Sequence, residues 1–561
     1  MQRRSFERLA GLCFLAGLTS SVLSTPAAAQ DIVGKVMAGY QGWFSNQTDG
    51  SPVGNLGAGG NGHLNLAAYP DLREFPASEQ FATSWGNLGN GTPGNMFSSD
   101  RAFTANLHAT WMQQYGVDVA AIQRFGDGVN PGAYQSQKNQ VQTLMANATN
   151  AHGVKFCIEY DMTGAGTAGN SWAANGYWVN GIENDWYHGS LRTDNGQPIW
   201  TSPSYAHEKG KPVVELWGMG ANYTGMPQNA SEWADLINYF HNQGVYVIAG
   251  VPHEWLTNTL PGFAAVYATC DAINPWVVGD FSGVAGADWY AGNNLTPEKA
   301  WCASHNVTYI PCVWPASRQA GADMWEQFVN IRKLGLTSCF ISMFDEFNEN
   351  TQIAKTAEDP SQVPAGSGFT PLNANGTRVS SDFYLRLTYA GGSMMKGWSP
   401  LNTNVPIPLW NGGPISYGLH TLTPMHAQGS RLEASNWGTT NGTKVQIWQA
   451  TGGSNQLWYF NSNSDGSYTI NPSYASNLRL DVSGLGTTNG TIVQLWATTG
   501  ASNQKWFASN TNGSSIPGPY VLHPGNATSM CLDVSGVSSA NGTQVQIWQA
   551  TGAANQQWTV N

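Results

Sequence analysis

The stretch Asn441–Trp458 reads Asn-Gly-Thr-Lys-Val-Gln-Ile-Trp-Gln-Ala-Thr-Gly-Gly-Ser-Asn-Gln-Leu-Trp, and it recurs without gaps at Asn489–Trp506 and Asn541–Trp558. Its central tryptophans, Trp448, Trp496 and Trp548, are spaced by 48 and then 52 residues. A period near fifty residues marks a repeated supersecondary unit that buries its apolar face only by packing on its neighbours. Each copy is rich in short β-branched runs and turn residues, which read as strands. Three such copies predict a closed all-β unit with threefold pseudosymmetry at the C-terminal end.

With three Q-x-W repeats in register, residues 413–561 resemble the ricin-type β-trefoil lectin, the family 13 carbohydrate-binding module. The resemblance implies one sugar pocket per lobe, built from an acidic residue, the Gln and Trp of Q-x-W, and a later Asn-Gln pair. The second lobe offers Asp481, Gln494, Trp496, Asn503 and Gln504, and the third offers Asp533, Gln546, Trp548, Asn555 and Gln556. The first lobe has Leu432-Glu433-Ala434 where the others have Leu-Asp-Val, a departure that bears on its pocket. The family's paired cysteines are missing, so packing and hydrogen bonds must hold each lobe. The Gln and the second Trp of each repeat also fit a purely structural role in the trefoil core.

Working back from the repeat, residues 397–414 hold four prolines among turn residues and read as a linker. Upstream, eight short apolar runs recur at 35–44, 117–125, 154–162, 212–219, 245–251, 272–278, 307–313 and 337–344. Amphipathic stretches at 102–115, 136–151, 230–243, 256–269 and 320–334 separate most of them. Continuous apolar strands alternating with helices predict parallel pairing buried on both faces. The expectation is a (β/α)8 TIM-like barrel over 30–396, followed by the all-β β-trefoil domain over 415–561, with the Gly/Asn-rich stretch 50–100 as a long loop. A doubly wound open sheet is the competitor, but its Gly-rich phosphate turn is absent.

In such a barrel the chemistry sits where the strands end. Those ends carry Tyr40 and Trp43, Gln123 and Arg124, Glu159 and Asp161, Glu215 and Trp217, His253 and Glu254, Trp276 and Asp280, Trp314, and then Asp345, Glu346 and Glu349. A dry core does not tolerate so many carboxylates. A sugar cleft uses them, with aromatic platforms for pyranose faces and paired carboxylates for acid/base work on an acetal. Tyr40, Trp43, Gln123, Arg124, Glu159, Glu215, Trp217, His253, Glu254 and Trp276 are the expected substrate-binding set. His253-Glu254 is not H-E-x-x-H, and neither a metal nor a cofactor is expected.

The segment Phe344-Asp-Glu-Phe-Asn-Glu-Asn-Thr-Gln-Ile353 resembles the catalytic stretch of glycoside hydrolase family 99, the endo-α-mannosidases, and more broadly the family 71/99-like group. The Gly-Tyr-Gln-Gly-Trp-Phe opening at 39–44 is similar to that group too. The resemblance implies Glu349 as general acid/base and Glu346 as the carboxylate acting at the sugar 2-hydroxyl. Cleavage would go through an anhydro-sugar, or through direct carboxylate attack in an ordinary retaining scheme. Asp345, Phe347 and Asn348 depart from the family's usual Asn, Trp and His.

Arg3-Arg4 before an apolar run 9–23 and Ala27-Ala28-Ala29 read as a signal peptide over 1–29, of twin-arginine or Sec type, for export to the periplasm or beyond the cell. Removing it takes away Arg3, Arg4, Arg8 and Glu7 and shifts the net charge from −11 to −13. An acidic chain with only 11% charged residues has no electrostatic reason to bind nucleic acid or an anionic membrane. Six cysteines remain after cleavage, without zinc spacing, and one or two disulfides are expected, Cys302 with Cys270 or Cys312 among the options. The combined expectation is an exported, monomeric, retaining and endo-acting glycoside hydrolase. It would cleave α-linked polysaccharide, α-mannan before α-glucan, and the trefoil would hold it on its substrate. The alternative is a non-catalytic lectin with a decayed barrel.

Overall fold

The computed structural model describes residues 31–45, 49, 66–129, 133–167, 176–187, 191–193, 195–315, 318, 320–377, 379–407, 415, 418–463, 467–511 and 519–561. The expected signal peptide and residues 408–414 of the expected linker lie outside them.

Eight parallel strands build the first module: β1 Val36–Tyr40, β2 Val119–Phe125, β3 Lys155–Asp161, β4 Lys211–Trp217, β5 Tyr246–Pro252, β6 Ala272–Trp276, β7 in two pieces at Thr308–Tyr309 and Cys312–Val313, and β8 Cys339–Ile341. Each pairs with its successor, and β8 returns to β1 through Val36↔Cys339 and Ala38↔Ile341, which closes the ring. The split in β7 falls at Ile310-Pro311, where the proline has no N–H to donate. Helices cover the outside after every strand, beginning with Ala102–Gln114 and Ala133–His152 and ending with Phe383–Met395. The strands are mostly apolar because both faces are covered, with polar residues gathered toward their C-terminal ends. The barrel expectation holds in all eight strands.

Three details differ from the sequence reading. The helix expected over 256–269 shrinks to Phe263–Tyr267, because Pro261 and the left-handed Gly262 (φ +88°) break the run. The described cysteines form no disulfide. Cys157, Cys270, Cys302, Cys312, Cys339 and Cys531 are all free and buried. They sit on separate elements, and Cys312 Sγ shares a hydrogen bond with Ser342 Oγ at 3.1 Å. The stretch expected as one long loop carries a hairpin, Phe81–Asn87 with Pro93–Met96.

The second module has its own core. Six strands run around a ring, the first of them in two pieces at Gly418–His420 and Leu422–Pro424. Three hairpins close one end, Ser430–Ala434 with Thr443–Gln449, Leu478–Val482 with Thr491–Ala497, and Met530–Val534 with Thr543–Gln549. The second strands of the hairpins pair with one another around the pseudo-threefold axis. Trp458, Trp506 and Trp558 are fully buried, and each indole donates at 3.0 Å to the carbonyl of Leu432, Leu480 or Leu532. The second tryptophan of every repeat is therefore structural.

Trp506→Ala removes a large buried ring and leaves the Leu480 carbonyl unpaired. It should cost the trefoil about 3–5 kcal/mol. In calorimetry the trefoil transition should move down while the barrel transition stays in place.

Candidate active site

Parallel register sets Gln123 level with Glu159, and Glu159 level with Glu215. Residues level on neighbouring strands face the same side. Arg124, one residue on, points to the helices. Its guanidinium holds Asp185 at 2.6 and 2.9 Å and Asn139 at 2.9 Å. Gln123, Glu159 and Glu215 therefore face the barrel interior. Gln123 Nε2 donates to Asp161 at 2.9 Å, and Asn274 of β6 donates to Glu215 at 2.7 Å.

The exit of β8 supplies the rest. Asp345 accepts the backbone N–H groups of Gln41 at 2.7 Å and Gly42 at 2.9 Å, tying this exit to the end of β1. Gln41 Nε2 then donates to one oxygen of Glu346 at 2.8 Å, and Thr351 Oγ1 donates to the other at 2.6 Å. Glu346 is buried and held at both oxygens, whereas Glu349 is exposed at the mouth. Lys138 donates to the Gln41 carbonyl at 2.7 Å, and its ammonium sits 5.6 Å from the ring centres of Trp43 and Phe125, which stack at 5.3 Å.

Burial dominates the electrostatics. It pushes Glu346 up to about 8, helped by the nearby Glu349, and raises Glu349 as well. It also lifts Glu215 to about 8, and it lifts Glu159, where Glu215, Asp161 and Glu346 add their repulsion. Burial lowers Lys138 to about 7, against the pull of Asp345. Around the rim, Trp217 meets Trp276 edge to face at 5.9 Å, and His253 lies between Glu254 (2.8 Å) and Asp280 (2.9 Å). Burial and Glu254 bring Asp280 up to about 7. The buried atoms Gln41 Oε1, Gln123 Oε1, Glu159 Oε2 and Glu215 Oε2 have no protein partner, and neither do the indole N–H groups of Trp43, Trp217 and Trp314. Acceptors facing inward and indole donors at the strand ends suit a ligand rich in hydroxyl groups.

The structure thus brings together Gln123, Glu159, Glu215 and Glu346, with Glu349, Trp43, Trp217, His253, Glu254 and Trp276 at the strand ends. It does not bring Tyr40 or Arg124 into the cleft. Tyr40 faces outward, its hydroxyl 3.1 Å from His108 Nδ1, and Arg124 is committed to Asp185. Gln41, Thr351, Asn274 and Lys138 belong to the site although sequence reading did not single them out, and Asp345, read as a strand-end carboxylate, serves as their anchor. Alternation along β1 was the available signal, since Tyr40 and Gln41 must face opposite sides.

In the second module, Asp481 accepts from Gln494 (3.1 Å), Asn503 (2.8 Å) and Gln504 (3.0 Å). Asp533 repeats the cluster with Gln546 (3.0 Å), Asn555 (2.7 Å) and Gln556 (3.1 Å). Trp448, Trp496 and Trp548 stand beside these clusters with 37–39% of their surface exposed, available as stacking faces. Residues 421–558 match the family model of the ricin-type beta-trefoil lectin domain. This part of the chain is a carbohydrate-binding lectin domain of the ricin type. No curated protein matches the chain. Among solved structures, the chain is similar to the GH99 endo-alpha-mannosidase from Bacteroides thetaiotaomicron at 15% identity and a TM-score of 0.43, over 65% of this chain and 98% of that one. It is similar to the designed 3-fold symmetric protein ThreeFoil at 28% identity and a TM-score of 0.24, over 25% of this chain and 96% of that one. The Rhizoctonia solani agglutinin is similar at 19% identity and a TM-score of 0.23, over 28% of this chain and 97% of that one.

The raised carboxyls set a pH dependence. A carboxyl held near 8 in the fold and near 4.5 when unfolded binds its proton more tightly in the native state. Its contribution is complete below about pH 4.5 and is lost as pH rises toward 8. The barrel's Tm should fall by roughly 2–5 °C between pH 5 and pH 8. Glu215→Gln, which keeps an acceptor for Asn274, should flatten that slope in calorimetry.

Proposed function

We propose that the barrel is a retaining glycoside hydrolase acting on α-linked polysaccharide or glycan, with α-mannan the first substrate and α-glucan the second. The lectin domain would raise the local concentration of substrate without taking part in the chemistry. The observation that carries this reading is the Glu346/Glu349 pair at the exit of β8, one carboxyl buried and clamped by Gln41 and Thr351, the other at the open mouth.

Bond cleavage at an acetal needs a proton for the leaving oxygen and a second group on the sugar side. Glu349, at the open mouth, is placed to deliver a proton to the leaving oxygen and then to take one from the incoming water. Glu346 lies deeper, where its raised pKa makes its carboxylate a stronger base for the sugar 2-hydroxyl. Deprotonated O2 would attack C1 to form an anhydro-sugar, which water reopens with net retention. Direct attack by Glu346 on C1 gives the same stereochemistry. Glu159, Glu215 and Gln123 would accept hydroxyl protons from the sugar, while Trp43, Trp217 and Trp276 offer ring faces and edges. Export through a signal over 1–29, action as a monomer, and no role for nucleic acid, membrane, metal or cofactor complete the proposal.

Glu349→Gln and Glu346→Gln should each lower kcat by about 10²–10⁴ on the cleaved polysaccharide, with binding to it retained. A screen of yeast α-mannan, α-1,3-glucan and other α- and β-linked polysaccharides with the mature protein checks this. No release from any of them, with retained pull-down, would favour the non-catalytic lectin. The wild-type pH–rate profile should have its alkaline limb near 8, above that of an ordinary carboxyl pair.

A further inference from the structure

Three side chains on neighbouring strands point acceptors into the barrel and meet no donor there. Glu159 and Glu215 stand level on adjacent strands, whose backbones run about 4.8 Å apart, and they are 1% and 0% exposed. Glu159 Oε2 and Glu215 Oε2 have no hydrogen-bond partner in the protein. Gln123 is level with Glu159 on the other side and is 4% exposed. Its Nε2 donates to Asp161, and its Oε1 is left bare. The row is therefore carboxyl, carboxyl and amide oxygen, all facing one side.

Sugar hydroxyls can fill these acceptors, but they do not answer the charge. Glu215, Asp161 and Glu346 act on Glu159, and Glu349 and Asp345 act on Glu346, all of them negative. The nearby cations are engaged elsewhere. Arg124 faces the helices and holds Asp185, while Lys138 donates to the Gln41 carbonyl. At the rim, His253 lies between Glu254 and Asp280. Packed this way, Glu159 and Glu215 hold their protons well above the ordinary carboxyl range. An ammonium group meets both demands, with three N–H donors on one compact positive head. A sugar acquires one when an amine replaces a single hydroxyl.

We propose that the barrel cleft takes a free-amine hexosamine unit of a glycan, its ammonium donating to Glu159 Oε2, Glu215 Oε2 and Gln123 Oε1. The inference rests on reading the barrel as a sugar cleft, and it adds a cationic glycan to the neutral ones named above. If O2 is the attacking atom, the amine sits on a carbon other than C2. Under direct carboxylate attack, C2 is open to it as well. As the ammonium enters, the Glu159/Glu215 pair releases a proton to solvent and becomes its counter-charge.

Titration of the full chain by calorimetry near neutral pH tests it, with methyl α-glycosides of 2-, 3- and 6-amino hexoses against their parent sugars. One amino sugar should bind about tenfold or more tighter than its parent. Its heat should change with the ionisation enthalpy of the buffer, because a proton is released, and the parent's should not. Glu159→Gln combined with Glu215→Gln keeps the shape of the row and an acceptor for Asn274. That variant should lose the amine preference and the proton release together, while parent sugars and the lectin domain bind as before. No preference for any amine, a preference that survives in the double variant, a heat independent of buffer, or displacement of the sugar by equimolar ammonium chloride would each overturn the proposal. Polysaccharide release reports the hydrolase reading separately. Amine preference without any hydrolysis removes that reading alone, and hydrolysis without amine preference removes this one alone.

Discussion

Asp345 is the group on which the candidate site depends. Its carboxylate takes the N–H groups of Gln41 and Gly42, two donors that β1 leaves unpaired where it ends at Tyr40. That clasp joins the last strand to the first at the level where the barrel opens. It also fixes Gln41, and Gln41 in turn fixes Glu346. The close fit continues below it, where a side chain on Gly39 would strike the sulfur of Met343. The position of the proposed sugar-side carboxylate is thus set by the seam of the barrel.

The same seam explains the electrostatics. Carboxyls on adjacent strands of a narrow barrel cannot avoid each other or reach bulk water. Glu159, Glu215 and Glu346 are held in the region where burial and mutual repulsion favour the proton. A core designed only for stability would not keep them. Lys138 is the nearby cation, and it is committed to the Gln41 carbonyl and to the rings of Trp43 and Phe125. The cleft therefore remains rich in acceptors, as recognition of a polyhydroxylated ligand requires.

The lectin domain solves a similar problem three times. A buried acid at the base of each lobe gathers amide donors, which lets a carboxylate sit under an exposed tryptophan without an ion pair. Two lobes keep the same solution. In the first, Glu433 stands in place of the aspartate, and Asn455 keeps its bond to the Ala434 carbonyl while the acid gathers Gln446 and Gln456. Threefold repetition fixes the scaffold, and local substitutions change the contacts at the base of each lobe.

Much of this was legible in the chain. Period-fifty repetition determined the trefoil, and eight apolar runs alternating with amphipathic stretches determined the barrel, because burial of apolar surface acts through patterns that neighbouring residues carry. The carboxylates and tryptophans at the strand ends were visible for the same reason. Only the tertiary structure decided which of them meet. Tyr40 and Arg124 are adjacent in sequence to Gln41 and Gln123, yet strand alternation sends them outward to His108 and Asp185. Asp345 read as a departure from a motif and acts as the clasp of the barrel. None of the expected disulfides forms among the described cysteines, since pairing depends on which thiols the fold brings within bonding distance and sequence spacing does not carry that. Hydrogen bonds between residues three hundred positions apart leave no local pattern, so the sequence determined the framework and the closure of the barrel selected the site.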